Sequence, residues 1–335
     1  MSVGIDIGAK TIKIVELARE GGRFRLKASG IVSHKGKSPD QMIEDREFAL
    51  LAEAIKKLYK EAKVSSKEVA IALPETQVYT RTVRFPNLTD SEIASAVRWE
   101  AEQYIPIPVS ESIVQYQIIE RKESSSQVVV LLVAVLKSVV EKYVKVIGMA
   151  GLNTVFAETE LIALVRALAP DDLTSLIVDL GARSTNIAIS KNAQLVFSRS
   201  IPTAGEAFTR ALSQSLGIPE MQAEEYKRTY GLTQSQLEGK IKYALEPIFK
   251  IISDEIKKAI HFYQSEEKGD VPTSVILSGG TAGMPEIASS LTKLLGIEVV
   301  VGNPFSKVEI DPDTVKSIAG YAPFYSTSVG LAMRT

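Results

Sequence analysis

The 335 residues, 45% hydrophobic and 24% charged, suffice for roughly two domains of ordinary size and fall within the compositional range of folded globular proteins. Lys and Arg (39) balance Asp and Glu (40), so no global field draws the chain to nucleic acid or an anionic membrane, and such a partner must be recognised locally. The absence of cysteine excludes disulfides, thiolate nucleophiles and cysteine metal sites and favours a reducing compartment. His34 and His261 are too few for a zinc cluster and read as ordinary surface or core residues. No basic segment followed by an apolar run marks the N-terminus, so export is not expected. The longest apolar run, Val128 to Leu136, is too short to cross about 30 Å of hydrocarbon as a helix and reads as a buried strand.

In chain order, Val3 to Ile7 is a short apolar run, Gly8 to Lys10 a turn, and Ile12 to Leu17 alternates apolar with polar, which predicts an opening β-hairpin. Strand-like runs recur at Phe24 to Ile31 and Val69 to Leu73, with Phe48, Leu51, Ile55, Leu58 and Tyr59 at helical spacing between them, an α/β pattern. From about Val78 to Gly148 the texture changes to a strand through Phe85, a helix, a strand around Val114 to Glu120, the run Val128 to Leu136 and another helix, as in an inserted α+β module. Thr89 and Glu92 predict a capping box for its first helix; Ile93, Val97, Ala101 and Tyr104 share one face, and Pro106 and Pro108 end it.

Further on, Thr174 to Val178 leads into Asp179-Leu-Gly-Ala-Arg, and Thr185 to Ile189 with Leu195 to Ser198 continue a meander that echoes the opening hairpin, as a duplicated fold would. Helices are expected over Gly205 to Leu216, Pro219 to Arg228 and about Leu237 to Tyr263. Strand Val275 to Leu277 then meets Ser278-Gly-Gly-Thr-Ala-Gly-Met-Pro and a helix Glu286 to Leu295, and the apolar tail from Ile318 to Arg334 is expected to be packed.

Three glycine-bearing turns carry chemistry. In Asp6-Ile-Gly8-Ala9-Lys10-Thr11-Ile-Lys13, Gly8 frees the turn to bring backbone N–H groups against phosphate oxygens, Asp6 on a rigid strand end suits a hydrated magnesium ion, and Lys13 adds a point charge. Alone, an Asp-x-Gly hairpin reads more readily as a plain β-turn with an exposed lysine. Asp179-Leu-Gly181-Ala182-Arg183-Ser184-Thr185-Asn186 offers the same chemistry from the other half, and two such carboxylates flanking one metal and phosphate chain have little structural reason to arise otherwise. The third turn, Ser278-Gly279-Gly280-Thr281-Ala-Gly283-Met284, joins a strand to a helix whose N-terminus suits polar ligand atoms, and its small residues admit a flat base; close helix-on-sheet packing is the other reading.

At these residues the sequence resembles the actin-like ATPase superfamily, whose two phosphate loops and adenosine motif occur in this order. The resemblance implies a ribonuclease H-like duplicated, two-domain α/β fold with bound ATP and Mg2+, the metal held by Asp6 and Asp179 through water. Ala223-Glu224-Glu-Tyr-Lys227 is similar to the superfamily's helix whose glutamate and lysine approach ribose and base, and Gly205 joins the cofactor-binding set. Glu160-Leu-Ile-Ala163 is similar to the first connecting helix, where a residue orients the attacking water in some members, although the usual proline is absent. Ala322-Pro-Phe-Tyr and Val329-Gly330-Leu-Ala resemble the second connecting helix. The implied domains are 1–77, an inserted subdomain 78–148, a connecting helix within 149–172, a second domain 173–317 with a helical part about 205–268, and a return to the first domain over 318–335.

Phe85-Pro-Asn-Leu, Trp99-Glu-Ala-Glu-Gln-Tyr-Ile-Pro-Ile-Pro and Ala150-Gly-Leu resemble the PilM family of type IV pilus assembly proteins, related to FtsA. That resemblance implies a cytoplasmic adaptor, peripheral to the inner membrane, which binds the short cytoplasmic N-terminus of a bitopic membrane protein, PilN, in a groove beside the inserted module. A pilus assembly ATPase and self-association are further partners it admits. Trp99 is expected in the module's core or as a groove anchor. Arg183 in the second loop and Ala9 in the first, which lacks a hydroxyl, point to ATP binding with at most slow hydrolysis. The alternatives are an FtsA-like filament protein, against which the missing linker and amphipathic tail count, and a small-molecule kinase of the same fold.

Overall fold

The structure, a computed structural model, describes residues 1–122, 126–234, 239–266 and 269–334. Leu237, the expected start of the long helix, and residue 268, the expected close of the helical part, lie outside them. The first half begins with β1 (Ser2–Ile7), β2 (Thr11–Glu20) and β3 (Arg23–Ser33), an antiparallel meander in which β1 and β2 are buried on both faces, Val3, Ile5, Ile7, Ile12 and Ile14 in one core and Val15 and Leu17 in another. Helix α1 (Asp45–Glu61) follows and buries Phe48, Leu51, Ile55 and Leu58 from one face. Strand β4 (Glu68–Leu73) then pairs parallel with β1.

The inserted module comes next: β5 (Val78–Pro86), α2 (Asp90–Tyr104), β6 (Ser112–Lys122) and β7 (Gln127–Leu136). Its three strands form a sheet in the order β5-β7-β6, antiparallel throughout. The capping box is present in α2: the Thr89 backbone N–H donates to Glu92 at 2.8 Å, and the Glu92 N–H donates to Thr89 Oγ1 at 3.4 Å. Ile93, Val97 and Ala101 are buried against Val128, Val130 and Leu132. Tyr104, expected on that face, is 46% exposed because it ends the helix, and Arg81 stacks 4.1 Å over its ring. Trp99 is 58% exposed, which removes the core reading. It lies two residues from both Val97 and Ala101, about 200° around the helix from each, on the solvent side.

Helix α3 (Lys137–Met149) leaves the module and buries Val139, Tyr143, Val146 and Ile147 in the core of the first sheet, beside Phe48 and Ile55. Strand β8 (Asn153–Thr159) completes that six-stranded sheet as its edge, and α4 (Glu160–Leu168) crosses to the second half. There, β9 (Thr174–Leu180), β10 (Thr185–Lys191) and β11 (Gln194–Ile201) repeat the meander. Helices α5 (Gly205–Leu216), α6 (Glu220–Tyr230) and α7 (Lys240–Ser265) follow. Next come β12 (Ser274–Ser278), α8 (Ile287–Leu295) and β13 (Glu298–Val301). The chain returns through β14 (Val308–Glu309), α9 (Pro312–Ile318) and α10 (Ser326–Ala332), with β14 pairing to β3.

The orders β3-β2-β1-β4-β8 and β11-β10-β9-β12-β13 are the same order built twice, with three antiparallel strands followed by two parallel ones in each. Every residue of α10 is buried. Its small side chains explain how: a Cβ on Gly330 would lie 1.9 Å from the Ala163 carbonyl oxygen of α4, and one on Gly4 would lie 2.1 Å from that of Ser328. Helices α4 and α10 therefore touch backbone to backbone where the halves join.

Candidate functional site

The two meanders aim equivalent turns at one cleft. In each, the N–H two residues past the aspartate closes the turn: Gly8 onto the Thr11 carbonyl at 3.0 Å, and Gly181 onto that of Ser184 at 3.1 Å. Register places Lys13 opposite Asp6 and Asn186 opposite Asp179, so one equivalent position carries a cation in the first half and an amide in the second. Lys13 Nζ donates to Asp6 Oδ2 at 2.8 Å, both groups being buried. The amide of Asn186 donates to Glu160 Oε2 at 3.0 Å, while its carbonyl accepts from Ser200 at 2.7 Å. His34, on the far side of the first turn, holds the Gly8 carbonyl at 2.8 Å.

Three carboxylates thus face the same space. Burial pushes Asp179 up to about 6, helped by the charge of Asp6 and opposed by Lys13 and the Ser278 hydroxyl. Glu160 is raised well above the usual carboxylate range by burial and by the charges of Asp6 and Asp179. Close by, Glu75 reaches about 7 through burial, against hydrogen bonds from Ser198, the Leu161 N–H and Thr159. Its backbone N–H donates to Glu160 at 3.3 Å, and its Oε2 has no partner. Among the described residues no three of these side chains are close enough to ligate one ion directly, so a cation here would reach Asp6 and Asp179 through water. The ion suited to two protein oxygens is magnesium, which keeps several waters and takes phosphate oxygens besides.

The second wall is tied to the second turn. Gly205 and Glu206, opening α5, donate backbone N–H groups to the Gly181 and Ala182 carbonyls at 3.1 and 2.8 Å, and Thr281 donates to the Leu180 carbonyl at 3.0 Å. Gly279 has φ +85°, and a Cβ there would lie 2.6 Å from the Leu180 oxygen, so only glycine fits. Lys227, buried, donates to the Gly205 carbonyl at 3.1 Å, Thr209 at 3.0 Å and Glu224 at 2.7 Å. Burial alone would raise Glu224, but Lys227, Thr209 and Arg228 outweigh it and hold the carboxylate at about 2.

Asp6, Gly8, Ala9, Lys10, Thr11, Lys13, Glu160, Asp179, Gly181, Ala182, Arg183, Ser184, Asn186, Gly205, Glu224, Lys227, Gly279, Gly280 and Thr281 all line this cleft. Gly283 and Met284 do not: Gly283 is exposed on the outer side of the turn, and Met284 is buried in the second core near Leu180 and Ile287. The turn tightens through Met284 N–H onto the Thr281 carbonyl at 3.0 Å, which carries both residues away from the opening. Sequence reading missed Glu206, Arg228, Ser278, Pro323, Phe324 and Thr327 as lining residues. Phe324 packs where a Cβ on Gly280 would lie, 2.8 Å from its ring, and the Pro323 carbonyl accepts the Gly279 N–H at 3.2 Å. Nothing local to that C-terminal stretch signals the contact.

A groove of about 410 Å³ lies between the module and the first half, lined by Ile113, Tyr116, Leu131 and Val133 of the module, and by Ala157, Glu158, Thr159, Ile162 and Arg334. Ile113 and Tyr116 are 37% and 38% exposed, and the neighbouring edge-strand residues Val155 and Phe156 are also open to solvent. Buried Glu158 anchors this rim, receiving Arg166 at 2.5 and 2.8 Å and Arg334 as well. Trp99 is not among the groove's lining residues.

A duplicated meander-and-crossover fold, with paired Asp-x-Gly turns facing one cleft, defines the actin-like class, and solved structures agree. The ethanolamine utilization protein EutJ from Carboxydothermus hydrogenoformans is 18% identical with a TM-score of 0.62, covering 100% of this chain and 89% of that one. MreB5 of Spiroplasma citri bound to AMPPNP is 14% identical with a TM-score of 0.56, covering 98% and 93%. Within that class the chain belongs to the type IV pilus assembly protein PilM family, whose model matches residues 4–335. A structure described as a PilM-PilN type IV pilus biogenesis complex is 28% identical and superposes with a TM-score of 0.83 over 99% of this chain and 98% of that one. Among curated proteins, the cell division protein FtsA of Bacillus subtilis is 26% identical over 223 residues, 58% of this chain, and the match spans about half (47%) of that relative's length. FtsA of Streptococcus pneumoniae is 23% identical over 339 residues, 88% of this chain and 74% of that protein.

Proposed function

We propose that this protein is an ATP-binding adaptor of a type IV pilus inner-membrane assembly platform, taking the cytoplasmic N-terminal segment of a PilN-like bitopic membrane protein into the groove beside its inserted module. The observation that carries this reading is a junction: Ala157, Glu158 and Thr159 line the groove, and the next residue, Glu160, lines the cleft. Ile162, two residues and about 200° further round α4, faces the groove again. A rigid strand-to-helix corner therefore touches both sites, so a shift imposed on one reaches the other. The groove's apolar walls suit an extended segment with alternate apolar side chains, and among the described residues β8 beside it is the edge strand of its sheet.

In the cleft, magnesium would be held by Asp6 and Asp179 through its waters and would neutralise the phosphate charge. Lys13 fixes Asp6, the two turns offer backbone N–H groups to phosphate, and the Lys227–Glu224 pair stands on the nucleoside side. Turnover is slow on this reading, since Glu160 is held on one oxygen by the Asn186 amide and the Glu75 backbone N–H, which restrains the group that would orient the attacking water. Membrane association is indirect, through the partner. Among the described residues no helix is long and apolar enough to cross a membrane.

The test is fluorescence anisotropy with a labelled peptide of the PilN-like protein's cytoplasmic N-terminus, measured with and without magnesium and ATP. Binding whose affinity changes with nucleotide is expected. No binding in either condition overturns the adaptor reading.

A further inference from the structure

We infer that Glu206 is a specificity-determining residue of the cleft, a built-in carboxylate that competes with the distal phosphates of a bound nucleotide for Lys10 and Arg183. The inference rests on the nucleotide reading of the cleft. Glu206 Oε1 lies 3.5 Å from Lys10 Nζ, and its Oε2 lies 3.6 Å from Arg183 Nε. Arg183 also donates to the Gln41 side-chain oxygen at 3.2 Å. Lys10 and Gln41 belong to the first half, Arg183 and Glu206 to the second, so these four side chains bridge the mouth of the cleft. Lys10 and Arg183 stand on the two aspartate turns, where the phosphate chain is expected, while Gln41 and Glu206 reach them from outside the turns.

The carboxylate is fixed there by backbone. The N–H groups of Gly205 and Glu206 are spent on the Gly181 and Ala182 carbonyls, so the start of α5 moves only with the second turn. The cations, by contrast, are exchangeable. Lys10 and Arg183 are about half exposed, and such pairs are weak and solvent-screened. With the mouth bridged, the cleft holds about 150 Å³, less than the roughly 300 Å³ or more of ordinary ligand pockets. On this proposal entry of a nucleotide widens the cleft and parts these contacts. Phosphate oxygens then take over both cations, and Glu206 is left beside the phosphate chain with its charge uncompensated. Its penalty therefore grows with the number of phosphates and falls on ATP more than on AMP.

The test is calorimetry of ATP, ADP and AMP, each with magnesium, on the full-length wild-type chain, Glu206→Gln and the surface control Glu53→Gln. Glu206→Gln is expected to tighten ATP by roughly three- to thirtyfold, the span given by losing two weak pairs, to tighten ADP less, and to leave AMP within about twofold. Lys10→Gln should weaken ATP, and its effect should change when combined with Glu206→Gln. Equal shifts for all three nucleotides, or none, overturn the inference alone. Weaker magnesium–ATP binding by Glu206→Gln also overturns it, because Glu206 would then serve the cation. If wild type and Glu206→Gln both bind no nucleotide, the reading of the cleft falls and this inference with it.

Discussion

Replacing Glu75 by glutamine tests the electrostatics of the joint between the halves. Glu75 is 4% exposed, its Oε2 has no partner, and burial raises its carboxyl from 4.5 to about 7 despite hydrogen bonds from Ser198, Leu161 and Thr159. The folded value lies above the unfolded one, so the folded state binds more protons between about pH 4.5 and 7, and stability falls as pH rises through that window. At about 1.4 kcal/mol per unit, the full penalty is on the order of 3 kcal/mol by pH 8 and under about 1 kcal/mol at pH 5. Glutamine keeps the shape and the acceptor without the charge. Glu75→Gln should therefore be more stable than wild type by about 2 to 3 kcal/mol at pH 8, several degrees in Tm, and nearly equal to it at pH 5. Urea denaturation at both pH values reads this directly. A variant that is less stable at pH 8, or a difference independent of pH, would refute the argument from burial.

Asp179→Asn is expected to fold and to lose at least about tenfold in magnesium-dependent ATP affinity by calorimetry, since the cation loses one of two carboxylates; unchanged affinity would remove the proposed cleft chemistry. Glu160→Gln should bind magnesium–ATP as wild type does yet lose on the order of a hundredfold in any phosphate release seen in a coupled assay. Gly330→Ala drives a methyl into the Ala163 carbonyl at 1.9 Å, so it should cost more than about 3 kcal/mol by chemical denaturation. In the groove, Ile113→Asp alters an exposed side chain, so peptide anisotropy should fall more than about tenfold while ATP calorimetry is unchanged.

Much of the cleft was legible in the sequence because its parts are local. Gly8 and Gly181 sit at the same offset from the strand-end aspartates, where a Cβ on Gly181 would press on the Ser184 carbonyl at 2.9 Å, and a period-2 pattern on both sides fixes the hairpin. The Thr89–Glu92 cap was visible for the same reason, since three residues contain the whole interaction. Trp99 was misread: the expectation of a core or groove position weighed the size of the ring over helical phase, and the side chain is exposed. Long-range apposition was not encoded in any window. That Phe324 packs on Gly280, that α3 leaves the module to join Phe48 in the first core, and that Glu206 faces Lys10 each depend on how separate sheets and helices dock. The sequence by itself determined a duplicated α/β chain with two Asp-x-Gly turns, because those are properties of single strands and turns. Only the tertiary structure decided that Thr159 and Glu160, adjacent in the chain, belong to a groove and a cleft on opposite sides of one corner. The physical reason is that β8 ends and α4 begins between those two residues, and the groove needs the module and the cleft the second half, each docked from a different part of the chain.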